Sequence, residues 1–394
     1  MIKEYLQLFL EKKVFGYSVN QYLIIFVLCS MFLPYYFGFI SMGIVCIYLI
    51  YTKQLKQIIL NTPNGIMPII FSIYTTIVSI YYGNNIGIIQ GLGISMIAIF
   101  IMFYRENISK RLFTCIIDLC CIASICCAVW GILEYLAIVD RIGVEFSELI
   151  IFEEPTNRVN STFYNANFYA QVIQFFVLMC IYKILNTNKI YRIIFYTVTI
   201  LFNLFALYLT GCRTGWLSFI FTIPLMFYMN GWKKVGYGLS GLILFVLFIL
   251  MINPTLFPRV GTIIASFAVR VEIWKTAILG IKDNLLFGLG IGGYILIYSK
   301  YNGYPANHAH NVLLDPMLSF GIVGLLIACT FIIPVCKEIA MLMKKKVDMK
   351  MLGLIICFVI AVFVHGIFNY SIMWSQTGVI FLLILNGVKL HSTC

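Results

Sequence analysis

Apolar runs recur along the whole chain, and no other feature limits its possible folds as strongly. Many of these runs approach the roughly 20 residues with which an α-helix crosses a hydrocarbon core about 30 Å thick. The chain is 62% hydrophobic and 11% charged, whereas about a quarter of the residues of a soluble domain carry charge. A transmembrane β-barrel would show short alternating segments instead. The sequence therefore predicts an all-α, polytopic transmembrane bundle, folded as a single integral-membrane domain over 1–394.

About twelve spans are expected from the length criterion. They are predicted near 20–36, 38–52, 66–82, 86–104, 112–138, 165–182, 193–210, 214–229, 235–252, 312–335, 352–370 and 375–388. No cleavable signal peptide is visible, so we expect the first span to act as its own insertion signal.

Lys and Arg are distributed unevenly between the two sets of loops that these spans define. The set that includes both termini holds 19 of the 27 Lys and Arg residues, and the other set holds the remaining 8. Because loops rich in Lys and Arg stay in the cytoplasm, both termini are predicted to be cytoplasmic. This distribution also accounts for the net charge of +12 without nucleic acid as a partner. A cytoplasmic membrane is the expected location.

Two substantial loops then lie on the outer face, and we expect them to form the functional site. The first, 139–164, is acidic, and the second, 253–311, is the longest loop and net basic. Within the second, apolar residues recur at steps of three and four, which is typical of an amphipathic helix at a membrane interface. These residues are Val271, Trp274, Ile278, Ile281 and Leu285.

Two arginines on this face are candidate phosphate ligands. Arg213 lies in the segment 210–216 (TGCRTGW), and Arg270 lies at the start of the amphipathic helix. A guanidinium binds phosphate oxygens in a bidentate manner and keeps its charge. The alternatives are a membrane anchor for Arg213 and, for Arg270, a solvated charge that pairs with Glu272 or stacks on Trp274.

His310 is the strongest candidate for proton transfer, because imidazole can accept or donate a proton near neutral pH. It stands with His308 and Asn311 where the long loop meets an apolar segment. The alternative is a capping function for this boundary, which Asn311 could perform with His310 as a bystander. No acidic or cysteine partner stands at helical spacing from the two histidines, so no metal site is expected.

Other polar and flexible features have more than one interpretation. The glycine-rich segment 288–293 (GLGIGG) follows a helix rather than a strand, so a flexible turn is expected and a nucleotide loop is not. Asp118, Glu134 and Asp315 lie within or beside spans, where acidic residues are functional candidates. Glu134 and Asp315 lie toward the outer face, whereas Asp118 lies toward the inner face and is expected to pair. The 13 cysteines are expected to be packing residues.

Several short motifs, taken in order, resemble the O-antigen ligase and polymerase superfamily of bacterial membrane glycosyltransferases. The motifs are Arg158 with 161–167 (STFYNAN), 211–216 (GCRTGW), 270–274 (RVEIW), 286–290 (LFGLG), and His310-Asn311 followed by Gly321 and Gly324. The resemblance covers roughly 158–324, and the last motif is the most specific.

This resemblance implies an enzyme that transfers glycan from a polyprenyl-diphosphate carrier to an acceptor hydroxyl on the outer face of the membrane. It implies that Arg213 and Arg270 bind the diphosphate and that His310 is the essential histidine. Arg158, Asn311 and Glu272 are possible supporting residues. Two arginines could stabilise the charge on the leaving diphosphate, so we expect a metal-independent, cofactor-free and inverting reaction.

The acceptor stays open between a polymerase, which extends another lipid-linked repeat, and a ligase, which uses a lipid core or a protein. The composition is rich in Ile, Tyr and Phe and poor in Ala. This bias suggests an AT-rich genome and a Gram-positive cell. Such a cell has no lipopolysaccharide core as an acceptor, which favours a capsule or exopolysaccharide polymerase. A different class, a lipid-linked glycan flippase, would be expected to show internal repeats and polar sites near the midplane. No repeat is visible, and the polar candidates lie at one face.

Overall fold

The computed structural model describes residues 15–143, 155–253 and 262–391, and these residues contain helices and no β-strand. The α-helices are α1 (Val19–Ser30), α2 (Tyr35–Tyr51), α3 (Leu55–Asn61), α4 (Met67–Tyr81), α5 (Asn85–Asn107), α6 (Lys110–Ile142), α7 (Ala166–Leu185), α8 (Ile190–Leu209), α9 (Arg213–Met229), α10 (Lys233–Ile252), α11 (Ile263–Asp283), α12 (Leu314–Lys345), α13 (Met349–Gly366) and α14 (Ser375–Leu385). Short 3₁₀ turns cover Pro155–Asn157, Gly293–Leu296, Ser371–Met373 and Asn386–His391. The all-α prediction is confirmed.

Each of the twelve predicted apolar segments lies on a helix, but fewer helices meet the length criterion for a span. In the described ranges, 7 helices are long and apolar enough to cross a membrane, or up to 8 if the bent pair α2 and α3 is one span. Four of the predicted spans correspond to α1, α4, α9 and α14, which have 12, 15, 17 and 11 residues. The chain is therefore a multi-pass membrane protein, and the count of about twelve spans stays a prediction.

Polar contacts near helix ends define two ends of the bundle. At one end, which we call the site end, the Gln376 amide donates to the carbonyls of Met31 and Thr162 at 2.8 and 3.3 Å. At the opposite end, Arg105 donates to Asn386 at 3.1 Å. Helix α14 connects the two ends, because Gln376 lies in its first turn and Asn386 follows its last.

Helix α7 is the centre of the bundle, because 72% of its apolar window is buried inside the protein, against 6% for α10. Both helices are apolar, so the difference reflects position rather than composition. In a membrane the exposed apolar face of α10 contacts lipid. Helix α7 begins at Ala166, directly after the segment 155–165. Because α7 is central, it holds that segment at the site end.

A break in α12 fixes part of the loop between α11 and α12. Gly321 has φ 59° and ψ −173°, which interrupts the helix. The turn that contains Gly288 and Gly290 packs onto this break, where the Gly290 N–H donates to the Ser319 carbonyl at 2.9 Å. A Cβ on Gly288 would lie 2.6 Å from the Ser319 carbonyl, so only glycine permits this approach. The glycine-rich segment is thus a turn packed against α12.

Candidate functional site

Arg213 and Arg270 converge on one residue, Ser266. Arg213 is the first residue of α9, and its Nη2 donates to the Ser266 hydroxyl at 2.9 Å. Arg270 lies one turn after Ser266 on α11, and its Nη1 donates to the Ser266 carbonyl at 3.0 Å. Two cationic side chains that are distant in sequence therefore lie beside each other at the site end.

Arg270 also contacts a second main-chain carbonyl. Its Nε donates to the carbonyl of Phe368, in the loop after α13, at 3.1 Å. Burial lowers the pKa of Arg270, yet arginine remains protonated at neutral pH in proteins. The structure thus keeps a half-buried positive charge at a fixed position, where low polarity strengthens its attraction for an anion.

Arg158 supports the turn that carries Arg213. Its Nε donates to the carbonyl of Thr210, the residue that ends α8, at 2.8 Å, and its Nη2 donates to the Asn167 side chain at 3.0 Å. Arg158 therefore ties the segment before α7 to the turn between α8 and α9. This position agrees with a supporting role.

His310 lies on the short loop before α12 with a positive φ of 49°. The main-chain N–H of His310 donates to Nδ1 of His308 at 3.1 Å, and the two ring centroids are 4.1 Å apart. Burial, the neighbouring His308 and the charge of Arg270 together hold the pKa of His310 well below its usual range. Burial lowers the pKa of His308 to about 4. Both rings are therefore neutral at pH 7.

Asn369 joins the histidine to the arginine turn, and the sequence analysis missed it. Its Nδ2 donates to the Thr214 hydroxyl at 3.0 Å, next to Arg213. The Asn369 side chain also interacts with the ring of His310, and this interaction opposes the lowering of the pKa of His310. Oδ1 of Asn369 and Nδ1 of His310 are both buried. Asn369 therefore links the ring of His310 to the turn that carries Arg213.

Asn311 has the structural role that was one of the alternatives for this pair of residues. Its Oδ1 accepts from the N–H groups of Leu313 and Leu314 at 2.9 and 3.0 Å, which caps the start of α12. Its Nδ2 donates to the Ile367 carbonyl at 3.0 Å. Asn311 thus fixes the loop of His310 against the end of α13.

The acidic candidates lie at separate places. Glu272 is exposed on α11 and lies near Tyr294, while Arg270 contacts the carbonyls described above. Glu134 accepts from the N–H groups of Asn160 and Ser161 at 3.0 and 2.7 Å. It therefore orders the segment before α7. Of the five acids in the predicted loop 139–164, Asp140 lies on α6, and Glu145, Glu148, Glu153 and Glu154 lie outside the described residues.

Asp315 and Asp118 also have defined partners. Asp315 accepts from the Ala309 N–H at 2.6 Å and so supports the histidine loop. Asp118 forms an ion pair with Lys183 at 2.6 Å. Within the described ranges, no group of three His, Cys, Asp or Glu side chains could hold a metal ion, and metal independence stays a prediction.

Buried polar groups that the sequence analysis did not select surround this constellation. His365, in the last turn of α13, is fully buried, and its Nδ1 lies 2.9 Å from Nε2 of Gln174. The positive charge of Arg270 has an electrostatic effect on His365. The sequence could have indicated His365, because it is a polar residue at the end of an apolar helix. No sequence pattern distinguished Ser266.

Comparison with known proteins gives a match to one protein family. Residues 198–329 match a family model described as O-antigen ligase. The matched segment contains Arg213, Ser266, Arg270 and His310, whereas Arg158 and Asn369 lie outside it. No curated protein matches the chain. This match supports the resemblance of the chain to the O-antigen ligase and polymerase superfamily.

Proposed function

Because residues 198–329 match the O-antigen ligase family model, we propose that the protein transfers an oligosaccharide from a polyprenyl-diphosphate carrier. The acceptor is a hydroxyl on the outer face of the cytoplasmic membrane. We propose a surface-polysaccharide polymerase, with the acceptor on a second lipid-linked repeat, in preference to a ligase. Both termini are then cytoplasmic, and the site end faces outward.

The convergence of Arg213 and Arg270 at Ser266, with His310 close enough for the charge of Arg270 to affect it, is the observation that carries this proposal. Two guanidinium groups match a diphosphate in charge and in hydrogen-bond geometry. A neutral imidazole near them matches the other requirement of the reaction, which is a base for the acceptor hydroxyl.

In the proposed reaction the acceptor oxygen attacks the anomeric carbon of the donor sugar. The bond from that carbon to the diphosphate oxygen breaks, and the polyprenyl diphosphate leaves with the electron pair. Arg213 and Arg270 stabilise the negative charge that grows on the leaving group. His310 takes the proton of the acceptor hydroxyl. Direct attack inverts the anomeric centre, and the charge balance requires no metal ion.

The same geometry couples binding of the donor to the strength of the base. Burial is the main cause of the low pKa of His310 in the free protein, and the neighbouring His308 and the charge of Arg270 lower it further. A diphosphate bound to Arg270 would offset the charge of Arg270, so the pKa of His310 would rise by the part of the shift that this charge causes. His310 therefore becomes a stronger base when the donor is present.

Purified protein in liposomes, supplied with a polyprenyl-diphosphate-linked oligosaccharide, tests the proposal. We expect wild type to release polyprenyl diphosphate and to form a longer glycan, and His310→Ala to do neither. His391→Ala is the matched control, because His391 lies at the opposite end beside Asp348. Glycan that crosses the bilayer without a change in its linkage would instead favour a flippase.

A further inference from the structure

Four aromatic rings form a connected cluster at the site end. The ring of Trp374 stacks on Phe168 and on Tyr164, with centroids 5.0 and 5.1 Å apart and interplanar angles of 26° and 20°. Tyr35 contacts Trp374 at 5.0 Å and Tyr164 at 6.0 Å. Tyr164 is 65% exposed and Tyr35 39% exposed. We call these four residues the aromatic platform.

A buried amide holds the platform rigidly. The indole Nε1 of Trp374 donates to Oε1 of Gln376 at 2.9 Å, and Gln376 is fully buried. Nε2 of Gln376 donates to the carbonyls of Leu33 and Thr162 at 2.7 and 3.3 Å. These carbonyls belong to the two segments that carry Tyr35 and Tyr164. Tyr35, Tyr164 and Trp374 are therefore fixed relative to one another before any ligand binds.

The platform is continuous with the candidate site through two chain segments. Trp374 follows Asn369 in the loop after α13, the same loop that binds Arg270. Phe168 follows Asn167, which accepts from Arg158. A glycan whose reducing-end sugar lies at the arginines would thus extend over a surface that the same two segments form.

We infer that the aromatic platform binds a sugar ring of the glycan, adjacent to the reacting sugar. This inference rests on the proposed function. The face of an aromatic ring is negative and attracts partial positive charge, and the C–H groups on the face of a pyranose ring supply such charge. Tyr164 presents an exposed ring that is already stacked on its inner side, so a sugar can stack on it without ordering a flexible side chain.

Interfacial tyrosines also anchor membrane proteins, and the platform differs from such an anchor in its construction. Its rings are stacked and are held by a buried amide that joins three segments. Tyr81, at the end of α4, is 81% exposed and packs edge-on against Tyr82. It is therefore a matched exposed tyrosine outside the platform.

Equilibrium dialysis with end-labelled soluble oligosaccharides tests the inference. The probe is released by partial hydrolysis of the surface polysaccharide of the source strain, and dextran of similar size is the comparison. We expect Tyr164→Ala to weaken binding of the probe roughly tenfold, which corresponds to the loss of one aromatic contact and its area. Tyr164→Phe retains the ring and should bind within about twofold of wild type.

The controls separate this inference from the proposed function. Tyr81→Ala should bind the probe like wild type, and His310→Ala should bind it while failing to transfer glycan. Equal binding by Tyr164→Ala and wild type, or no preference of wild type for the probe over dextran, would overturn the platform. If His310→Ala transfers glycan normally while Tyr164→Ala loses binding, the proposed chemistry fails and the binding surface stands.

Discussion

Ser266→Ala isolates the contact that aligns one of the two arginines. The substitution removes the hydroxyl that accepts from Nη2 of Arg213 at 2.9 Å. The main-chain carbonyl that accepts from Arg270 is retained. Ser266→Ala should therefore disturb Arg213 alone, without removing either positive charge.

The expected loss follows from the energy of a hydrogen bond to a charged group, which is about 1.5–3 kcal/mol. Ser266 is only partly buried, so water can replace part of the lost contact, and about 1–2 kcal/mol is the appropriate range. Since each 1.36 kcal/mol is a factor of ten, kcat/KM for the lipid-linked donor should fall roughly 5- to 30-fold.

The assay is release of polyprenyl diphosphate from proteoliposomes at several donor concentrations. Ser266→Thr keeps a hydroxyl and should lose much less. Ser240→Ala is the matched control, because the Ser240 hydroxyl donates to the Gly236 carbonyl of its own helix. Arg213→Lys combined with Ser266→Ala should lose less than the sum of the two single effects, because both act on one contact. Turnover of Ser266→Ala within twofold of wild type would refute the proposed alignment.

Four further predictions concern the base, the charges, the metal and the fold. Arg213→Lys should lower kcat/KM more than tenfold, because lysine keeps the charge but loses the bidentate geometry. Arg270→Gln should shift the acidic limb of the pH–rate profile to higher pH, because a positive charge that lowers the pKa of His310 is removed. EDTA should leave the transfer rate unchanged. Glu338→Ala should destabilise the protein by about 3–5 kcal/mol, because it leaves the buried charge of Arg105 without its ion-pair partner.

Each of these predictions has a result that contradicts it. Normal turnover of Arg213→Lys would argue against bidentate diphosphate binding. A pH profile of Arg270→Gln that is unchanged or shifted to lower pH would separate Arg270 from His310. A loss of activity in EDTA that Mg²⁺ restores would show a metal requirement. Thermal unfolding of Glu338→Ala in detergent should be compared with that of Glu106→Ala, and equal melting temperatures would show that the ion pair adds no stability.

The sequence predicted the helical segments well, because the apolar runs in lipid require helices. It was less informative about where each helix ends. The predicted span 352–370 ends at Gly366 in the structure. A Cβ at Gly366 would lie 2.7 Å from Cβ of Val312, whose N–H donates to the Gly366 carbonyl at 2.7 Å. This helix end is set by a contact with a distant segment, which no local pattern encodes.

The candidate site likewise contains residues that the sequence indicated and residues that it did not. Arg213, Arg270 and His310 were accessible to sequence analysis, because the outer loops hold only 8 of the 27 Lys and Arg residues and the chain has four histidines. Ser266 was not, because a serine inside an amphipathic helix has no distinguishing pattern. Asn369 lies within the predicted span 352–370. In the structure this part of the chain is a loop, and the contacts of Asn369 depend on that loop. The separate roles of Asn311 and His310 also required the contacts of Asn311 with α12 and with Ile367.

The most direct test of the account is the glycan profile of cells that carry wild type or His310→Ala, separated on gels into lipid-linked and surface fractions. The account predicts that wild type produces a ladder of long chains and that His310→Ala accumulates a single lipid-linked repeat. Long polymer retained on the polyprenyl carrier would show a ligase instead of a polymerase. A ladder in His310→Ala identical to that of wild type would contradict the proposed glycosyl transfer.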